Sequence, residues 1–147
     1  MQPLDIRLIQ FTFQPDAVGS RERKTLYPVR AGDRVLWASA RKLTLAAAAS
    51  DSSMKLGDGD DEDGYITADT EHVPSGESDP SAEVGDLDLE SGIANDLVNG
   101  SGAYLQTMGG HLYLRDDAIT VYYDPGLAAG ATNPKVAFKI AIVKGEW

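Results

Sequence analysis

Residues 135–143 read KVAFKIAIV, and this stretch indicates the fold class more clearly than any other part of the chain. Its large apolar residues occupy every second position: Val136, Phe138, Ile140 and Ile142. The positions between them include lysine or small residues: Lys135, Ala137, Lys139 and Ala141. A period of two is typical of a β-strand with one face in a core. Residues 135–143 are therefore predicted to form a strand.

The same alternation recurs upstream, and its inward-facing residues form the predicted core. They are Phe11, Phe13, Val35, Trp37, Leu43, Leu45, Leu112, Leu114, Ile119, Val121, Phe138, Ile140 and Ile142. We count about seven or eight strands between turn-forming residues and no convincing amphipathic helix. The pattern predicts an all-β fold, an antiparallel β-sandwich of jelly-roll type, formed by residues 1–147 as a single domain. A bulge is expected near Ser39 and Ala40, and a hairpin turn at residues 115–117.

A long acidic segment interrupts this pattern between residues 67 and 101. It contains scattered Pro, Ser and Gly with few aromatic residues, so it is predicted to be a loop or arm outside the sandwich. One short element is expected around residues 84–89, where Val84, Leu87 and Leu89 could anchor it. Because its own apolar content is thin, we expect contacts with a neighbouring subunit to order it.

Charge is distributed unevenly along the chain. The net charge is −10, yet residues 56–114 contain no Lys or Arg and 14 of the 23 acidic residues, which leaves the rest of the chain at +4. An acidic protein of this kind is not expected to bind nucleic acid, because phosphate binding requires a basic surface. No segment approaches the roughly 20 apolar residues of a membrane span, and the first residues lack the pattern of an export signal.

The residues that could perform chemistry give no catalytic pattern. Cysteine is absent, and the two histidines, His72 and His111, are 39 positions apart. Asp58, Asp60 and Glu62 alternate in an acidic loop as calcium ligands do, but the spacing does not match the helix-loop-helix calcium site, and a solvated turn is the preferred interpretation. Neither a metal nor a cofactor is predicted, and the protein is not expected to be an enzyme.

Three motifs together resemble a known family. They are RAGDRVL at residues 30–36, KLGDGDDEDGYI at residues 55–66 and the closing KVAFKIAIV. The sequence resembles the small structural proteins of tailed bacteriophages over about half of its length, and the segment from Gly57 to Tyr65 is the distinctive part. The acidic insertion at residues 67–101 departs from the family pattern.

The resemblance implies a virion protein that is made in the host cytoplasm and located on the capsid surface. The role it favours is a capsid decoration or cement protein that binds the major capsid protein and sister subunits, as a homo-oligomer. A head-fibre base or a tail or neck component is the alternative, and a cupin-like or carbohydrate-binding β-domain is less favoured. Because cations and acids are segregated, the interface is expected to use residues of both charges: Arg21, Arg23, Lys24, Asp58, Asp60, Asp61, Glu62, Asp63 and Tyr65.

Overall fold

A computed structural model describes residues 4–16, 21–45, 52–67, 87, 89, 97–106, 108–125 and 134–145. Within these residues the strands are β1 (Ile6–Phe13), β2 (Glu22–Val29), β3 (Arg34–Thr44), β4 (Ser53–Gly57), β5 (Leu97–Asn99), β6 (His111–Leu112), β7 (Asp117–Asp124) and β8 (Lys135–Val143). A 3₁₀ turn spans Ala103–Leu105. In the described part of the chain, no helix is long and apolar enough to cross a membrane.

The strands form two antiparallel sheets. The five-stranded sheet has the order β1-β8-β3-β5, with β6 also pairing with β3. The three-stranded sheet has the order β2-β7-β4. The fold predicted from the sequence, an all-β antiparallel sandwich of jelly-roll type, is confirmed.

β8 lies at the centre of the five-stranded sheet and shows why the alternation was informative. Its four large apolar side chains are fully buried, whereas the residues between them remain partly accessible. β1 pairs with one side of β8 from Ile6 to Phe13 without a register shift, and β3 pairs with the other side. Opposite β8, the core is completed by Ile119 and Val121 of β7 and by Met54 and Leu56 of β4.

Seven residues of the predicted core are buried: Phe13, Val35, Ile119, Val121, Phe138, Ile140 and Ile142. The prediction is wrong for Leu112 and Leu114, which are exposed, and Phe11, Trp37, Leu43 and Leu45 are only half-buried. In residues 111–114 the alternation has the opposite phase, since Tyr113 faces the interior.

Two bulges in β3 explain why Trp37 and Leu43 were misplaced. The register with β8 shifts between Val35 and Trp37 and again between Lys42 and Thr44, so β3 has one extra residue at each point. Beyond the first bulge Ala38 and Ala40 face the core, and Trp37 lies opposite Ala141 on the outer face. The bulge expected near Ser39 and Ala40 is therefore wrong in position.

Residues 115–117 do not form the predicted hairpin turn. β6 belongs to the five-stranded sheet and β7 to the three-stranded sheet, so the segment between them crosses from one sheet to the other. It is a connection across the sandwich.

The described parts of the acidic segment contribute to the sandwich. Leu87 and Leu89 are buried in the core, as expected of anchors, and the Leu87 amide donates to the Thr67 carbonyl over 2.8 Å. Val84 lies outside the described residues. Residues Leu97–Asn99, which fall within the stretch predicted as a loop, form β5 and pair with β3.

The RAGDRVL motif forms the turn before β3 and the first three residues of β3. Gly32 has a φ of +96°, which favours glycine. The buried Asp33 accepts hydrogen bonds from the Arg30 amide, the Gly145 amide and, over 2.6 Å, Lys144 Nζ. Burial acts to raise the pKa of Asp33, but these donors outweigh it and the pKa is lowered. The motif thus fixes the end of β8 against the start of β3.

The central position of β8 leads to a prediction for Phe138→Ala. We expect the free energy of unfolding to fall by about 3–5 kcal/mol, because a buried ring is removed and leaves a cavity. Leu114→Ala is the matched control and should change it by less than about 0.5 kcal/mol, because Leu114 is 85% exposed. Urea unfolding measures both. A loss below about 1 kcal/mol for Phe138→Ala would show that β8 is not central.

Candidate functional site

The acidic loop that follows β4 is a closed, folded structure. Leu56 and Ile66 exchange two backbone hydrogen bonds of 3.0 Å, so residues 57–65 leave β4 and return to it. Gly57 permits the closure, because a Cβ there would lie 2.0 Å from the Asp61 carbonyl oxygen. The prediction of a solvated turn is wrong for Asp58, which is only 1% exposed.

Asp58 organises this loop through its carboxylate. Its Oδ1 accepts hydrogen bonds from the backbone amides of Asp60 and Asp61 over 2.9 and 3.0 Å. Its own amide donates to the Asp61 carbonyl over 2.9 Å. A buried carboxylate is costly unless its oxygens accept hydrogen bonds, and this turn supplies part of what Asp58 requires.

Tyrosine hydroxyls also donate to Asp58, two of them to its carboxylate and one to its backbone carbonyl. Tyr104 donates to Asp58 Oδ1 over 3.1 Å, and Tyr113 donates to Oδ2 over 2.8 Å. Tyr122 of β7 donates to the Asp58 carbonyl over 2.8 Å. The hydroxyl of the buried Tyr65 lies 2.6 Å from that of Tyr113. Since the Tyr113 proton points to Asp58, Tyr65 acts as donor to Tyr113. We call Asp58 with these four residues the Asp58 cluster.

The ionisation states of the tyrosines suit this arrangement. Burial raises the pKa of Tyr65, Tyr104 and Tyr113 above the ordinary value for tyrosine, and the nearby carboxylate of Asp58 acts in the same direction. The hydroxyls therefore remain protonated and serve as donors.

His111 covers the cluster. Its ring stacks on that of Tyr104 with 3.5 Å between the centroids and 8° between the planes, and it contacts Tyr65 and Tyr113 edge-on. Burial lowers the pKa of His111, although the carboxylates of Asp58, Asp117 and Asp60 act in the opposite direction. The lowered pKa favours the neutral imidazole, which packs against the three tyrosine rings.

The same carboxylates also place three oxygens close together. Ligand atoms of Asp58, Asp60 and Asp117 lie within 4.8 Å of one another, a spacing that could surround a hard cation. However, Asp117 Oδ1 accepts hydrogen bonds from the Gly59 and Ala118 amides, and Asp60 forms an ion pair with Arg115. These bonds fix the loop against β7, and they give the carboxylates of Asp60 and Asp117 partners within the chain.

The predicted interface residues separate into buried and exposed groups. Asp58 and Tyr65 lie inside the chain, so their side chains fold the loop. Asp61 and Asp63 are half-buried, and interaction with the Asp63 side chain raises the pKa of Asp61. The remaining members are accessible at the surface: Arg21, Arg23, Lys24, Asp60 and Glu62.

Some of these exposed cations and acids meet within one molecule. A shallow groove over the outer face of the three-stranded sheet is lined by Arg21 and Arg23 together with Glu62 and Tyr122. Arg21 lies 3.1 Å from Asp124, and Lys55 lies 3.9 Å from Glu62. On this face, cations from the basic part of the sequence therefore lie beside Glu62 of the acidic part.

Sequence reasoning missed the partners of Asp58. No local pattern marks Tyr104, Tyr113 or Tyr122 as its partners, yet the hydroxyls of all three bond to Asp58. Gly64 is a weak sequence signal of this packing. A Cβ at this position would lie 2.4 Å from the Tyr104 ring, so glycine leaves room for the ring.

No protein-family model matches this sequence, and no curated protein matches it. Two solved structures contain chains of similar fold. One is the acid-stable capsid of Helicobacter pylori bacteriophage KHP30, with a TM-score of 0.60 and 11% identity over 94% of this chain and 86% of that chain. The other is the capsid asymmetric unit of cyanophage Pam1, with a TM-score of 0.58 and 12% identity over 96% of this chain and 84% of that chain. Identities this low show a shared fold.

The Asp58 cluster leads to a prediction for Asp58→Ala. The change leaves two loop amides and two tyrosine hydroxyls without their acceptor, so we expect the free energy of unfolding to fall by about 3 kcal/mol or more. Asp60→Ala is the matched control and should cost less than about 1 kcal/mol, because its ion pair with Arg115 is largely exposed. Urea unfolding of the two variants compares them, and equal losses would contradict the assigned role of Asp58.

The lowered pKa of His111 predicts a pH dependence of stability. The unfolded chain binds a proton near pH 6.5 and the folded protein only at lower pH, so the contribution of His111 is complete above pH 6.5 and is lost as the pH falls through the folded pKa. His111→Phe keeps an aromatic ring beside Tyr104 and removes the titration. Its unfolding free energy should fall less between pH 7 and pH 5 than that of the native protein. His72→Phe is the control, and a slope unchanged in His111→Phe would contradict the prediction.

Proposed function

We propose that this protein is a non-enzymatic structural protein of a bacteriophage virion and, within that class, a capsid decoration or cement protein. The observation that carries the proposal is the fold shared with chains of two phage capsid structures. The family resemblance of residues 30–36, 55–66 and 135–143 was noted on independent grounds and points to the same class.

The structural similarity extends over most of the aligned chains. Each alignment covers at least 94% of this chain and at least 84% of the matched chain, so the shared fold includes nearly all of the sandwich. A subunit of this size can contribute to a capsid by bridging larger neighbours, which requires shape and surface chemistry but no active site.

The use of the polar side chains agrees with a structural role. His111 is surrounded by the rings of Tyr65, Tyr104 and Tyr113, and the Asp58 carboxylate is occupied by loop amides and tyrosine hydroxyls. Groups that could act as acid, base or ligand thus hold the fold together. The exposed surface is therefore the part of the protein that can bind partners. We propose that these partners are the major capsid protein and sister subunits, at the outside of the capsid.

Binding to phage shells tests the proposal. Shells of the phage that encodes this protein, prepared without it, are mixed with the purified full chain, separated on a density gradient and imaged by electron cryomicroscopy. We expect saturable binding at a fixed ratio to the shell protein, with density on the capsid surface. Density only at a head fibre, neck or tail would replace decoration by the alternative role. Absence of the protein from purified virions would contradict both.

The exposed cations of the three-stranded sheet give a prediction for the rate of binding. Reversal of Arg21, Arg23 and Lys24 to Glu should slow association with shells by about tenfold or more at 0.1 M salt, and the difference should shrink towards 1 M salt. A matched triple reversal of Arg41, Lys135 and Lys139, on the outer face of the other sheet, should have a smaller effect. Stopped-flow light scattering measures the rates. A rate insensitive to both the first reversal and salt would leave these charges a role in solubility only.

A further inference from the structure

Among the residues that the structure describes, β1 forms an open edge of the five-stranded sheet. It pairs with β8 on one side, and no described strand pairs with its other side. The Asp5 carbonyl accepts a hydrogen bond from the Lys144 amide, so the backbone groups of Asp5 point towards β8. Because these directions alternate along a strand, the N–H and C=O groups of Ile6 and Leu8 point to the open edge.

This edge has few of the features that prevent a strand from pairing with another strand. Protected edges carry charged residues, proline or a bulge, but Ile6–Phe13 contains no lysine or proline, its one charged residue is Arg7, and its register with β8 is regular. Instead three large apolar side chains are exposed along it: Leu4 at 72%, Ile6 at 57% and Leu8 at 63%. Ile6 and Leu8 lie opposite Val143 and Ala141 of β8 on the outer face of the sheet, so they belong to one apolar row.

The residues along this edge are complementary to themselves. Residues 4–8 read LDIRL, in which an acid and a base flank the central Ile6 symmetrically. We propose that β1 pairs antiparallel with β1 of a second copy of this chain, about a two-fold axis that passes through Ile6. Each Ile6 then lies opposite its counterpart, Leu4 lies opposite Leu8, and Asp5 lies opposite Arg7 of the other copy.

The charges select this register. In an antiparallel pair, residues directly opposite each other have their side chains on the same face of the sheet, so the two-fold axis must pass through a residue and not between two residues. The backbone groups of β1 that point away from β8 are compatible with an axis at several residues. An axis at Asp5 or at Arg7 would place like charges opposite each other, and an axis at Leu8 would place Arg7 opposite Ile9. Only the axis at Ile6 pairs every charge between Leu4 and Leu8 with its opposite and every apolar residue with another.

The geometry of the pairing favours a second copy over an unrelated strand. With the axis at Ile6, Asp5 and Arg7 of the two copies form non-hydrogen-bonded pairs, in which side chains approach most closely. Within one chain Arg7 Nη2 lies 3.0 Å from Asp5 Oδ2. Because both side chains are about half exposed, each can also contact the oppositely charged residue of the second copy. The contact is isologous and closes as a dimer. It concerns the isolated protein and does not rest on binding to a shell.

Cross-linking tests the dimer and its register together. The chain has no cysteine, so Ile6→Cys introduces a single thiol at the two-fold axis, where paired Cα atoms about 5.5 Å apart permit a disulfide. We expect nearly complete disulfide dimer under mild oxidation. Thr12→Cys is the matched control on the same edge, and its two thiols would be roughly 40 Å apart in the proposed register, so it should form no disulfide-linked dimer. Equal cross-linking of both variants, or none for Ile6→Cys, would overturn the proposal.

Sedimentation equilibrium of the full chain at about 1–100 μM supplies the thermodynamic test. We expect a dimer that Arg7→Asp weakens by about tenfold or more and that the double change of Asp5→Arg with Arg7→Asp restores. Ile6→Pro should abolish the dimer and retain the β-sheet circular dichroism spectrum, because it removes an N–H that faces away from β8. A monomer throughout this range would overturn the proposal. If Ile6→Pro then also abolished shell binding, the occupant of the edge would be the shell protein instead.

Discussion

The carboxylate of Asp58 is the constraint on which the arrangement at one end of the sandwich depends. It is buried and must therefore be surrounded by donors. Two amides come from its own loop, and hydroxyls come from Tyr104 after β5 and Tyr113 after β6. Because β4 belongs to one sheet and β6 to the other, satisfying a single carboxylate holds the two sheets together where their connections cross.

The sequence predicted those parts of the fold that depend on local periodicity. β8 alternates without interruption, and in β7 the apolar residues Ile119 and Val121 are two positions apart and both buried, so these core residues could be assigned directly. β3 could not be assigned in full, since two bulges reverse its phase and no local residue signals where they lie. The Asp58 cluster could not be predicted for another reason. Tyr104 and Tyr122 lie 46 and 64 positions after Asp58, and a run of acidic residues normally indicates solvent exposure.

The two sheets present different outer surfaces. The three-stranded sheet exposes cations beside acids, an arrangement that steers and orients partners more than it strengthens their binding. The five-stranded sheet exposes apolar side chains along β1, where no strand of the described part of the chain pairs with the outer edge. One surface therefore offers charged side chains and the other offers apolar side chains along a strand edge, so mutations can alter the two surfaces independently.

Hydrogen exchange at the amides of Asp60 and Asp61 tests most directly whether Asp58 folds the acidic loop. Both amides lie in a run of acidic residues at the surface, and both donate to Asp58 Oδ1. If Asp58 organises the loop as described, these amides should be strongly protected at neutral pH, and the protection should disappear in Asp58→Ala under conditions where β8 stays folded. Exchange at the rate of an unstructured peptide in the native protein would contradict the account.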